Sequence, residues 1–338
     1  MAAFQRRVAF LMLTYNQAAL VRESAEAVLA QQCEPLDVIF SDDGSSDNTF
    51  EVLQSVVRGY TGPHNVCVRR NQNNLGIGEH VNKLIALCPA DFYIASAGDD
   101  ISMPDRAKAL IQAWDDSGQK IDLISSHCIQ MSFDGRPGDV IKTDILDGLR
   151  AIEWMTRRPY VVGATHAFTR RLHLKFGPFA RDIVGEDQIM VFRALCSGGA
   201  ITLDRAYVYY RDGGVSRKPE RMSSAQHRSW SLKRARSEVA EMIQVMKDAR
   251  VAGLDVEARR ILSGKLESAH FLSEILAECR LIPMWRIARR FPGVPLLWRC
   301  KKALSVRFYA QYHTIDRFNR MRKAWVLEMR GLKPPESI

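Results

Sequence analysis

The sequence predicts an α/β chain with a mostly parallel sheet flanked by helices, followed by a C-terminal helical subdomain. Three observations predict it. In the first hundred residues, short apolar runs of strand length alternate with helical periodicity, the pattern of a parallel sheet covered on both faces. Polar clusters fall just after three of those runs, where open α/β sheets bind their ligands. After about Arg221 the strand signal stops and long amphipathic stretches take over. The chain is therefore divided into residues 1–221, the α/β domain that carries the polar clusters, and residues 222–338, a basic, aromatic-rich helical region.

Val8–Leu13 is a continuous apolar run and reads as the first strand, followed by a helical pattern through Leu20, Ala27, Val28 and Ala30. Leu36–Phe40 is the second strand, and Asp42–Ser46 is a loop feeding a helix capped near Asp47. Asn65–Val68 is the third strand, Ile77–Leu87 a helix and Phe92–Ala97 the fourth strand. Ser102 and Pro104 read as the start of another helix, with proline in the first turn, where its missing N–H costs nothing. Ser223–Arg250 and Val256–Glu278 read as long helices.

The 338 residues are 46% hydrophobic and 25% charged, the composition of an ordinary globular protein rather than of a disordered chain. No apolar run is long enough to span a bilayer. The basic pair Arg6–Arg7 and the run after it are too short for a secretory signal and lead straight into a motif. Seven scattered cysteines, without a CxxC pair or a histidine at ligand spacing, argue against a zinc site or a disulfide framework and suit a reducing cytoplasm. The net charge of +10 is uneven: from Arg280 onward there are 14 Lys and Arg against 3 Asp and Glu, and the remainder is near neutral. Such asymmetry points to an anionic partner surface for the C-terminal region.

Three polar clusters carry the chemistry. In Asp42–Asp43–Gly44–Ser45–Ser46, a carboxylate beside Thr14–Tyr15–Asn16 can accept the imide N–H of uracil or thymine while the first loop sandwiches the base; an acidic helix cap is the plainer alternative. Asp99–Asp100 ends a buried strand, and two adjacent carboxylates need donors or a cation to coexist. Hard oxygen ligands suit Mn2+ or Mg2+, completed by diphosphate oxygens and water. Glu186–Asp187 opens a helix, where the dipole favours carboxylates; beside a metal–diphosphate site, Asp187 is the candidate general base.

The ordered set Leu13-Thr-Tyr-Asn16, Ser41-Asp-Asp-Gly-Ser45, Gly98-Asp-Asp-Ile101 with Pro104-Asp-Arg106, Glu186–Asp187 and Tyr210-Arg211 through Ser216 resembles the inverting GT-A-fold glycosyltransferases of family 2, over about residues 7–217. The resemblance implies that Thr14, Tyr15, Asn16 and Asp43 bind the nucleoside. It implies that Asp100 ligates the metal and that Asp99 holds ribose or metal-bound water. It makes Asp187 the base, with Glu186 orienting the acceptor or the base, and Arg211 and the loop Gly213–Ser216 closing over diphosphate or acceptor. Two positions depart from the family pattern. The metal motif reads Ala97-Gly98-Asp99-Asp100 rather than Asp-x-Asp, so the division of labour between the acids is open. His80-Val81-Asn82 replaces Ala-Arg-Asn, so Asn82 carries over, the arginine contact does not, and Lys83 is the substitute cation.

The expected reaction is transfer from a UDP- or dTDP-sugar to a hydroxyl of a glycan or lipid-linked acceptor in cell-surface polysaccharide synthesis. A nucleotidyltransferase would show a Gly-rich basic loop where Leu13–Gln17 has neither Gly nor Lys. A non-catalytic scaffold would be expected to lose Asp99, Asp100 or Asp187. Gly76-x-Gly78 lacks the third glycine of a dinucleotide fingerprint. His80, His127 and His166 read as structural residues. The tail is either a packed helical subdomain or a surface for the anionic inner membrane leaflet. No nucleic-acid module is present, and self-association is left open.

Overall fold

The computed structural model describes residues 7–212, 223–278 and 281–307. The strands β1 (Val8–Thr14), β2 (Asp37–Asp42), β3 (Asn65–Arg70) and β4 (Phe92–Ala97) are each followed by a helix: α1 (Val21–Leu29), α2 (Thr49–Arg58), α3 (Ile77–Leu87) and, after the two-residue strand β5 (Ile101–Ser102), α4 (Arg106–Asp116). There follow β6 (Leu123–Met131), β7 (Pro137–Ile141), α5 (Ala151–Thr156), β8 (Ala167–Thr169), α6 (Arg170–Phe176), α7 (Glu186–Leu195) and β9 (Ala200–Arg211). The last helices are α8 (Ser224–Val251), α9 (Asp255–Ala277), α10 (Leu281–Arg289) and α11 (Leu296–Arg307).

One nine-stranded sheet runs in the order β3-β2-β1-β4-β8-β6-β9-β5, with β7 on β6. The first four strands are all parallel. Strand β8 is antiparallel to both β4 and β6, and β9 is parallel to β6. The expected parallel α/β sheet is therefore present, and a mixed extension carries it on. Strand β1 is apolar throughout because it is central: Ala9 and Leu11 point into one core, Phe10 and Met12 into the other. A period of two along one strand thus serves both faces. Burying each of the larger side chains, Leu11, Phe10 and Met12, contributes about 1.5–3 kcal/mol. Parallel register aligns the carboxyl ends, with Thr14 opposite Asp42, Asp42 opposite Arg70 and Leu13 opposite Ala97. Three polar loops therefore leave the sheet together.

One local expectation is corrected. Ser102 lies in β5, paired with Val208 of β9, and Pro104 sits in a turn ahead of α4, which begins at Arg106. Cross-strand pairing with a segment a hundred residues away outweighs the local helix signal.

The chain forms two compact units, residues 1–218 with 240–262, and residues 219–239 with 263–338. Packing in the first unit thus reaches beyond residue 221. Val245, Ala249, Ala258 and Leu262 join its larger core, and Arg193 of α7 forms a fully buried ion pair with Asp248 of α8 at 2.7 Å. The second unit has its own small core of Phe271, Ile275, Met284, Ala288 and Val294, against which Phe291 and Trp298 pack. Among the described residues no helix is long and apolar enough to cross a membrane.

Candidate active site

The loops after β1 and β2 are stapled together. Asp43 N–H donates to the Thr14 carbonyl at 2.9 Å, Asn16 N–H to Ser45 Oγ at 2.8 Å, and Ser46 N–H to Asn16 Oδ1 at 2.8 Å. Asn16 adopts φ 52°, a left-handed conformation that Asn tolerates. Gly44 is obligatory: its φ is +71°, and a Cβ there would meet the Asn73 carbonyl carbon at 2.9 Å. Asp42 is fully buried, accepts the Ser45 N–H at 3.0 Å and pairs with Arg70 Nε at 3.2 Å, so it braces the loop.

Asp43 is buried and accepts three hydrogen bonds: from Asn71 Nδ2 at 2.7 Å, Leu75 N–H at 3.0 Å and Gly76 N–H at 3.0 Å. It holds the β3–α3 loop against the β2 end. Thr14 Oγ1 donates to the Ser41 carbonyl at 3.2 Å, and half-buried Tyr15 is the aromatic group at this mouth. His80 is buried with Nε2 2.6 Å from Ser41 Oγ; desolvation pulls it down to about 4, so it is neutral at pH 7. Asn82 spends both ends of its amide on the backbone of Phe179, at 2.8 and 2.9 Å, and thereby ties α3 to the segment before α7. Lys83 is exposed one residue along.

The second cluster lies at the β4 end. Gly98 N–H donates to the Leu13 carbonyl at 3.1 Å, and a Cβ at Gly98 would clash with Gln17 and Thr14, so Asp99 and Asp100 stand directly beside the first loop. Asp100 is 2% exposed. Burial, then the neighbouring Asp99, pushes its carboxyl up to about 7, opposed by the Arg211 N–H at 2.8 Å and by the charges of Arg106 and Arg211. Asp99 is raised too, chiefly by burial, and Gln17 and Arg211 pull it back.

Arg106 is buried completely; it bonds Ser102 Oγ and the Ala95 and Ala164 carbonyls. It is the fixed cation behind Asp100. The Arg211 guanidinium donates to the carbonyls of Asp99 (2.9 Å) and Phe133 (2.8 Å) and to the Glu23 carboxylate (2.6 Å). Those donors lock the end of β9 onto the two aspartates, so Arg211 acts as a brace. Ser216, with the loop Gly213–Ser216, lies outside the described residues.

The third cluster is the head of α7. Asp187 packs on Gly163, where a Cβ would lie 2.9 Å from its own Cβ, and accepts the Gln188 N–H at 2.7 Å. Gly163 and Ala164 form the turn that Arg106 grips, which links Asp187 to the Asp100 side of the site. Burial, then Glu241, pushes the Asp187 carboxyl up to about 6, opposed by its backbone hydrogen bonds and by Arg158. Glu186 is raised well above the ordinary carboxylate range by burial and by Asp187 and Glu241. Arg158 and Glu241 escaped sequence reading. The one available signal was the helical spacing of Glu241, Gln244 and Asp248, a polar stripe among the core residues Met242, Val245 and Ala249.

His127 lies between Thr143 and Asp204, and His166 is buried beside Arg106. No group of three or more His, Cys, Asp or Glu able to enclose a metal occurs among the described residues. Two adjacent carboxylates raised by burial nevertheless fit a hard cation that draws its remaining oxygens from a diphosphate and water.

Residues 10–175 match the family model for glycosyl transferase family 2. These residues are a family 2 glycosyltransferase domain. The succinoglycan biosynthesis protein ExoO of Rhizobium meliloti (strain 1021) is 27% identical, the match covering 62% of each chain. The chain thus spans less than two thirds of that relative's length. Among solved structures, S. aureus TarS 1-349, crystallised with UDP-GlcNAc, has a TM-score of 0.54 at 16% identity, with 89% of both chains covered. The mannosyltransferase PcManGT from Pyrobaculum calidifontis, solved with GDP-Man and Mn2+, has a TM-score of 0.52 at 15% identity, covering 91% of this chain and 88% of that one. The family 2 domain shares the GT-A fold with these structures. Its match ends at 175, ahead of Asp187 and Glu241.

Proposed function

We propose that the chain is a metal-dependent inverting glycosyltransferase of polysaccharide biosynthesis, taking a UDP- or dTDP-sugar to a hydroxyl of a glycan or lipid-linked acceptor. The observation that carries the reading is the juxtaposition of the raised Asp99–Asp100 pair with the Thr14–Asp43 mouth on one side and, through Arg106 and the Gly163–Ala164 turn, Asp187 on the other. The family model, the succinoglycan-biosynthesis relative and the nucleotide-sugar and manganese complexes of the neighbouring folds support it.

Tyr15 and Asp43 flank the base, with Thr14 and Asn16 shaping the loop. Asp43 is held by three donors, so its contact to the base is set by the carboxylate's remaining lone pairs and the loop backbone. Asp100 and Asp99 would hold Mn2+ or Mg2+, and that ion would supply charge neutralisation for the departing diphosphate. Lys83, exposed on α3, is the side-chain cation assigned to the diphosphate in this reading. Asp187 removes the acceptor proton as the acceptor oxygen bonds to the anomeric carbon and the bond to the diphosphate oxygen breaks on the opposite face. An α-linked donor then gives a β-linkage. Glu186 orients the acceptor or Asp187.

The second unit supports a lipid-linked acceptor. Trp285 is 55% and Leu297 86% exposed, close in sequence to Arg286, Arg289, Arg290, Lys301 and Lys302. Basic residues flanking exposed apolar ones suit an anionic bilayer surface. Residues 308–338, with much of the tail's basic charge, lie outside the described residues.

The test is calorimetric titration with UDP, dTDP, GDP and CDP, each with manganese and with EDTA. The expected result is manganese-dependent binding of UDP or dTDP that Asp100→Ala abolishes. Absence of binding by all four nucleotides would overturn the donor assignment.

A further inference from the structure

The head of α7 is held by a residue far from it in sequence. Glu241 of α8 accepts the Gly185 N–H at 3.2 Å through Oε1 and pairs with Arg158 Nη1 at 3.0 Å through Oε2. The fit is close, because a Cβ on Gly185 would lie 2.8 Å from Glu241 Oε1. Arg158 lies over the Trp154 ring at 5.1 Å, and Trp154 Nε1 donates to Gln188 Oε1 at 3.2 Å, so the cation is fixed from a third element. Gln188 in turn donates to the Pro159 carbonyl at 3.0 Å. Among the described residues, the groups facing Asp187 are Glu186 on its own helix, Glu241 from α8, Arg158 from the segment after α5, and the uncharged turn at Gly163.

We propose that Glu241 is a positioning residue for Asp187: it fixes the first turn of α7 through Gly185 and engages the Arg158 guanidinium, keeping Asp187 a competent base. The base role of Asp187 rests on the glycosyltransferase reading; the positioning itself does not. Two opposite charges flank one carboxylate, and they bias its proton affinity in opposite directions. Glu241 favours the protonated acid and Arg158 the carboxylate. An ordinary helix cap would need only an acceptor for the Gly185 N–H, which glutamine supplies equally well. A positioning charge needs the carboxylate.

The experiment follows the Asp187 carboxyl by 13C NMR in the full chain labelled with [4-13C]aspartate, its line assigned by loss in Asp187→Asn. The native midpoint is expected near 6. Glu241→Gln should move it down by roughly one pH unit, as removal of a close like charge does. Arg158→Gln should move it up, and Glu241→Asp should keep it near the native value. Equal midpoints in the native protein, Glu241→Gln and Arg158→Gln would overturn the proposal, and so would shifts of reversed sign. Should Glu241→Gln fail to fold, the upward shift in Arg158→Gln decides the matter. The titration needs no donor, so failure of nucleotide binding overturns the transferase reading separately.

Discussion

Burial raises the Asp100 carboxyl to about 7 and Asp187 to about 6, so two site residues change charge close to neutrality. For Asp187 as base, transfer should fall as pH drops below about 6, because the protonated acid cannot accept the acceptor proton. Asp187→Asn should lose about 10²–10⁴-fold in transfer while keeping nucleotide affinity, measured by turnover beside calorimetry. Unchanged turnover would remove Asp187 from that role. The same shifts bear on stability. Folding favours the protonated form of both groups, so their contribution is complete below about pH 4, the unfolded value, and is lost as pH rises through 6 and 7. The metal-free protein should therefore melt at a lower temperature at pH 8 than at pH 5, and Asp100→Asn should flatten that slope. A melting temperature that rises over the same range in the native protein would contradict it. Thr14, Asp43, Asp99, Asp100 and Asp187 were legible as candidates because each sits where a strand ends or a helix begins. That Arg211 and Asn82 serve as braces was not legible, since their partners are backbone carbonyls and N–H groups of distant segments.

Among the elements, β1, β2 and β4 could be read because each is built on an apolar run bounded by turn residues, and β3 from its short Val66–Val68 core. The mixed extension could not. Strand β8 is three residues long, β5 is two, and β7 is largely exposed, so none carries a pattern of its own. Long-range pairing creates them. Helix α8 shows a related limit: its length was readable, but its polar stripe gains meaning only where Arg193 and Gly185 meet it. The Arg193–Asp248 pair has no exposed surface and is completed by Gln244 and the Gly177 carbonyl. Asp248→Ala should cost about 3–5 kcal/mol in denaturant unfolding, because it strands a buried guanidinium. A loss below about 1 kcal/mol would mean that α8 is not held by this pair.

For the whole molecule, charge is the property that sequence reports best, since it needs no coordinates: the excess positive charge lies from Arg280 onward. The second unit divides the aromatic residues there. Phe291 and Trp298 pack around Phe271 at ring-centroid distances of 5.7 and 5.8 Å, while Trp285 stays exposed. Both readings of the tail thus have residues to support them. Replacing Trp285 and Leu297 together with Ser in the full chain should leave the fold intact and weaken binding to anionic vesicles about tenfold or more in cosedimentation. Equal binding would leave only the packing role. By itself, the sequence determined the α/β class, the three strand-end motifs and the family, because these depend on local periodicity and on residue types at fixed spacing. Tertiary structure alone decided which charged groups face each carboxylate, which candidate residues are braces, and that residues 240–262 complete the first compact unit. Burial and electrostatic neighbours arise between segments far apart in the chain, and no local pattern encodes them.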